Sequence, residues 1–191
     1  MNDSSTFDSP FYVFIEASKE QIPRVLKELT LNEWTALELN NFDSLIDSNN
    51  RHFFLTTKGN WIHIMDDWNY TLWFDSEFIS RLTKLSSDFK IFTCSIGDSD
   101  NSFDFRLFRK GRITREYVVE DPNHDGGHIA KNIGEPLDGE REALKKVDIT
   151  DRVLSIASNL GIDIVHETNK ITAFSREERE DEKFEFDESE Y

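Results

Sequence analysis

A single cysteine, Cys94, stands in a chain of 191 residues, so no disulfide can close within it and a thiolate metal site is excluded. A lone thiol fits a reducing compartment. No apolar run approaches the length of a membrane span. Residues 1–10 also lack the basic stretch followed by an apolar one that marks a secretion signal. A cytoplasmic, membrane-free location is the expectation. Bases are scarce as well: 22 against 38 acids, for a formal net charge of −16. Nucleic acid and anionic membranes would be repelled by that charge, whereas a basic protein partner would be drawn in. The G-x-S-x-G elbow, the Walker lysine loop and the G-x-G-x-x-G fingerprint are all missing, and no cofactor is implied.

Phenylalanine, by contrast, is abundant at 16 copies, and aromatic side chains of that size build a core from few residues. Residues 11–15 are apolar at every position, the mark of a strand buried on both faces and central in its sheet. Ser18 and Gln21 have capping-box spacing before a helix predicted over 19–29, with Pro23 in its first turns. Strands are predicted at 34–39, 52–57 and 61–65, the last two joined by a glycine-containing hairpin loop. A second helix follows Asp75 or Ser76, with Phe78, Ile79, Leu82 and Leu85 on one face.

Residues 89–96 read as a strand. In the next, Phe103, Phe105 and Leu107 alternate with Asp104 and Arg106, which predicts one buried and one wet face. A tight turn at Lys110 and Gly111 leads to a strand over 113–120. Residues 121–139 hold Pro122, Pro136 and four glycines with little apolar mass, and read as an irregular excursion. A short helix is expected over 140–147. A longer one, capped by Thr150, carries Val153, Ile156, Ala157 and Leu160 on one face and ends at Gly161. Residues 162–166 and 170–174 are expected to close a final hairpin.

Short turns between consecutive strands predict an α+β fold: a mainly antiparallel sheet with three helices packed against one side. One domain is expected over 1–175. Residues 176–191 carry nine acids and three bases and read as an acidic, disordered tail.

Three constellations are candidates for chemistry or binding. Trp61, Trp68, Tyr70, Trp73 and Phe74 lie close together beside Asp66 and Asp67. Such rings fit packing between the sheet and the second helix; Trp68 and Tyr70, lying between elements, are the two expected at the surface. Asp66, Asp67, Trp68 and Tyr70 are therefore the candidate partner-binding residues. The two acids are also a candidate carboxylate pair for acid–base work, although no second half of a mechanism adjoins them. His124, Asp125 and His128 supply nitrogen and oxygen donors within a short span. The glycines at 126 and 127 break the helix that would align the two imidazoles, so no tight metal site is expected there.

The middle of the chain, roughly 59–139, resembles a diffuse group of small uncharacterised bacterial proteins, some similar to immunity proteins that bind and neutralise toxins. The resemblance rests on residues 61–66 (WIHIMD), on Leu82-Thr-Lys-Leu85, on the Arg109-Lys-Gly-Arg112 turn, and on residues 116–122 and 134–140. It implies a protein that acts by binding and carries over no catalytic residue. The reading from the residues agrees: a binding protein with a basic protein partner. The alternatives are a metal-dependent hydrolase using His124, Asp125 and His128, and an acidic mimic of nucleic acid.

Overall fold

Five consecutive buried residues in the strand Phe11–Glu16 (β1) leave it no solvent face, and it occupies the middle of a nine-stranded antiparallel sheet. The computed structural model describes residues 9–37, 50–97, 100–121, 123–124, 126–164 and 170–177. In chain order the other strands are Thr35–Leu37 (β2), Asn50–Lys58 (β3), Trp61–Asp66 (β4), Ile91–Ile96 (β5), Phe103–Arg109 (β6), Arg112–Glu120 (β7), His128–Gly134 (β8) and Thr172–Glu177 (β9). They lie in the order β2-β9-β3-β4-β1-β5-β6-β7-β8. The helices are Ile22–Glu28 (α1), Phe78–Leu85 (α2), the single turn Glu140–Ala143 (α3) and Ile149–Asn159 (α4). The fold is α+β, and three helices exceed one turn.

The helices are not confined to one side. Val25, Leu26 and Leu29 with Phe78, Leu82 and Leu85 pack on Phe11, Val13, Ile15, Ile62 and Ile64. Ala143, Val153, Ile156 and Ala157 pack on the opposite face, against Tyr12, Phe14, Phe92 and Phe105. Strands apolar on both faces need two covers, since each large side chain withdrawn from water contributes about 1.5–3 kcal/mol. The pattern in residues 11–15 carried that requirement.

Local chemistry sets the ends. Asp148, not Thr150, caps α4, its carboxylate accepting the Asp151 N–H at 3.1 Å; Thr150 already lies inside the helix. Gly161, at φ 79°, closes α4: its N–H donates to Ser158 and that of Ile162 to Ala157, the paired bonds of a Schellman end. The Ser18–Gln21 capping box does not form. A 3₁₀ turn over Lys19–Gln21 precedes α1 instead, and Ser18 bonds the Glu20 carboxylate.

Four expectations are corrected. The strand β8 lies inside the stretch expected to be irregular. Its seven residues are all exposed, so it has no apolar period; its ladder to β7 and the Arg115 guanidinium hold it, the latter donating to Asn132 Oδ1 at 2.8 Å and to the Ile133 carbonyl at 3.0 Å. Gly134 permits that approach: a Cβ there would stand 2.0 Å from the Thr114 carbonyl oxygen. The final hairpin does not form among the described residues. Ile162 and Ile164 enter the core without strand pairing, and β9 inserts between β2 and β3, where Phe174 stacks on Phe53 at 4.7 Å. Third, Asp104 faces no water; it is buried beside a half-buried Arg106. Fourth, Arg176 and Glu177, expected to open the tail, instead end β9 opposite Arg51 and Asn50, and residues 178–191 lie outside the described residues.

Candidate functional site

Residues 67–77 connect β4 to α2, and two buried carboxylates, Asp66 at the end of β4 and Asp67 after it, organise the loop. Asp66 accepts the N–H groups of Asp67 at 3.0 Å, Leu72 at 2.9 and 3.0 Å on its two oxygens, and Trp73 at 2.9 Å. Asp67 accepts from the His52 N–H at 2.8 Å, from the Asn69 N–H at 3.1 Å, and from the Thr71 hydroxyl at 3.0 Å. Short acidic side chains bond readily to backbone a few residues on, which is how a loop of this length acquires one conformation. Leu72 sinks into the core beneath it, and the Arg51 guanidinium donates to the Asn69 carbonyl at 3.3 Å. Tyr70 takes φ 54°, a left-handed conformation unusual for a non-glycine residue and held here by its surroundings.

The loop turns its rings outward. Trp68 is 52% exposed and Phe74 60%. Tyr70, half-buried, stands between them, perpendicular to Trp68 at 6.5 Å and tilted to Phe74 at 5.8 Å. Trp73, at 37%, is less exposed than Trp68 and Phe74. It packs edge-on against Phe11 at 5.2 Å, with the Arg106 guanidinium 5.9 Å from its ring. Clusters of large aromatics at the surface are over-represented at interaction sites.

Of the four candidate partner-binding residues, only Trp68 and Tyr70 reach this surface. Asp66 and Asp67 are 1% and 6% exposed, and their carboxylates are engaged by the loop's own N–H and hydroxyl groups. Burial pushes the Asp66 carboxyl well above the usual carboxylate range, against the pull of its N–H donors. Burial lowers the His52 imidazole, while Asp67, 3.9 Å away, raises it. Phe74, the most exposed ring, belongs to the aromatic run singled out in the sequence but was not one of the two rings expected at the surface. It precedes α2 in the connecting loop, where no helical period assigns it a face.

The histidine-rich stretch divides between two places. His124 is exposed at φ 53° in the turn after β7; His128 opens β8, 4.0 Å from Glu120; Asp125 lies outside the described residues. Among the described residues no group of three His, Cys, Asp or Glu could hold a metal ion. Asp121 organises this turn, accepting the N–H groups of Asn101 at 3.1 Å and Gly127 at 2.9 Å. Cys94 is fully buried, and burial, with Asp104 adding to it, pushes its thiol well above the ordinary range.

A polar network lies on the sheet face beside the loop. Arg106 donates to Glu116 at 3.0 Å and to both Asp104 oxygens at 3.4 Å, and Lys131 reaches Glu116 at 3.3 Å. Burial raises the Asp104 carboxyl to about 6, opposed by Arg106. For Glu116 burial acts upward too, but the bonds from Arg106 and Lys131 bring it below its ordinary value.

The chain matches no family model, and it shows no significant match to a curated protein or to a solved structure. No described helix is long and apolar enough to cross a membrane.

Proposed function

We propose that this protein works by binding a basic protein partner, which it takes up on the rings of Trp68, Tyr70 and Phe74, in the manner of an immunity protein that neutralises its target. The observation that carries the reading is the locked loop: large apolar rings held out in water by two carboxylates that have no other exposed role. Covering Trp68 and Phe74 would withdraw roughly 200 Å² of apolar surface, worth about 5 kcal/mol before the costs of association. Because the rings are already ordered, little conformational entropy is lost when they are covered.

Charge supports the choice of partner. The net charge of −16 is spread over the whole chain: with nine acids and three bases in 176–191, the rest still carries −10. A field of that sign speeds encounter with a basic protein more than it tightens the final complex. The test is parallel capture from a lysate of the source cell on immobilised wild type and on Trp68→Ala/Phe74→Ala. A basic protein retained by the first and lost by the second, with both melting alike, supports the reading. Retention of the same proteins by both removes the loop from it.

A further inference from the structure

A second surface, remote from the aromatic loop, has the opposite charge. At the tip of the β6–β7 hairpin Arg109 and Arg112 face each other across the ladder, with Lys110 at φ 53° and Gly111 at φ 72° between them. The side chains of Arg109, Lys110 and Arg112 are exposed, and none has an ion pair or hydrogen bond among the described residues. Like charges directly opposite on a ladder are unfavourable, and so is a left-handed lysine. The negative end of α2 adjoins the tip, Ser87 Oγ lying 3.0 Å from where a Gly111 Cβ would stand, but a helix end carries only a partial charge. Among the described residues, no acid answers these three cations.

The edge strand β8 leads up to this tip, its Lys131 paired with Glu116 and its His128 4.0 Å from Glu120. That strand contains no acid, and its ionisable residues are His128 and Lys131. It ends the sheet, and among the described residues no strand lies beyond it. Ile129 and Ile133 are each 56% exposed along this edge. Gly134 pairs with Arg115, three residues from Arg112, so the hairpin tip lies roughly 10 Å further along the strand direction. The register shift opposite Val118 and Val119 interrupts the edge, which limits the regular run open to a visitor. Stacking of a second copy is opposed by the −16 carried by each chain.

We propose that the outer edge of β8 and the cations Arg109, Lys110 and Arg112 together receive a short extended segment of a partner, added antiparallel, with acidic residues at its N-terminal end and β-branched residues after them. The polarity follows from the geometry. β8 runs toward the hairpin tip, so an antiparallel visitor starts there, and its first residues meet the cations. Main-chain bonds then continue the ladder while the isoleucines give its side chains apolar neighbours. The interaction does not depend on the aromatic loop.

The test uses a blocked peptide of three glutamates followed by Val-Thr-Ile-Thr-Val, titrated into the full chain and followed by backbone amide NMR. Two controls are the reversed peptide and one with lysines for glutamates. The acid-first peptide should shift amides within 109–112 and 128–134, the reversed peptide should bind more weakly there, and the lysine peptide should leave those amides unmoved. Arg112→Glu converts the like-charge pair into an opposite one, so the hairpin is kept, and it should weaken binding by about tenfold. Equal binding of the two orientations, binding of the lysine peptide at 109–112 and 128–134, shifts of the acid-first peptide centred elsewhere, or no shift at millimolar peptide would overturn the proposal.

Discussion

The Asp66 carboxylate receives the Leu72 N–H on both of its oxygens, at 2.9 and 3.0 Å, across the whole width of the loop that presents the aromatic surface. The Trp73 N–H joins it at 2.9 Å. Asp66→Ala leaves these buried donors unanswered and should cost about 2–4 kcal/mol. It should also weaken binding beyond the loss of stability, because the rings lose their fixed arrangement. A variant that melts early yet binds normally at low temperature would show that the loop does not need this acid for its shape.

Asp104 predicts a pH dependence with a definite sign. Its carboxyl titrates near 6 in the fold, against an ordinary 3.8. The folded state therefore holds this proton more tightly than the unfolded chain, and stability from this group falls as pH rises from about 4 to about 6. Above that range the charged form costs on the order of 3 kcal/mol. Asp104→Asn removes the titration. Urea unfolding of both proteins between pH 5 and pH 7.5 should show the variant gaining on the wild type as pH rises. His52, whose value moves down, lies outside this network and affects both proteins alike, so a flat difference curve would contradict the assignment.

Phe105 and Arg106 are neighbours in β6 with different dependencies. Phe105 is fully buried, and Phe105→Ala should cost about 3–5 kcal/mol at any pH. Arg106→Ala leaves Asp104 and Glu116 with less counter-charge, so its cost should be large at pH 7.5 and smaller at pH 5, where Asp104 gains a proton. Calorimetric melting at the two pH values separates them. Equal pH dependence would mean Arg106 acts only through packing.

Arg115 and Glu140 form a buried pair, with Arg115 Nε donating to Glu140 Oε2 at 2.9 Å, and it ties β7 to α3. Glu140→Leu alone strands a buried guanidinium and should cost about 3–5 kcal/mol. Arg115→Met/Glu140→Leu should recover most of that loss in denaturant unfolding. A double variant as unstable as the single one would show that the remaining Arg115 bonds to β8 dominate.

The apolar periods carried most of the fold. The five apolar residues at 11–15 placed β1 at the centre, and the strands β6 and β7 followed from alternation and the Lys110–Gly111 turn. Where burial did not supply the order, the period was silent: β8 is exposed along its length and held by Arg115, and β9 pairs with residues more than a hundred positions away. Trp68 was legible as a surface residue because it falls between elements. The role of Asp66 and Asp67 was not, since two adjacent acids at a strand end look the same whether they meet water or the backbone of the next turn.

Hydroxyl-radical footprinting of the captured complex measures the central claim at the side chains themselves. On complex formation the oxidation of Trp68, Tyr70 and Phe74 should fall severalfold, while exposed Val147, remote in sequence and 95% exposed, stays as reactive as in the free protein. Unchanged oxidation of Trp68 and Phe74, with protection appearing on another face, would contradict the account.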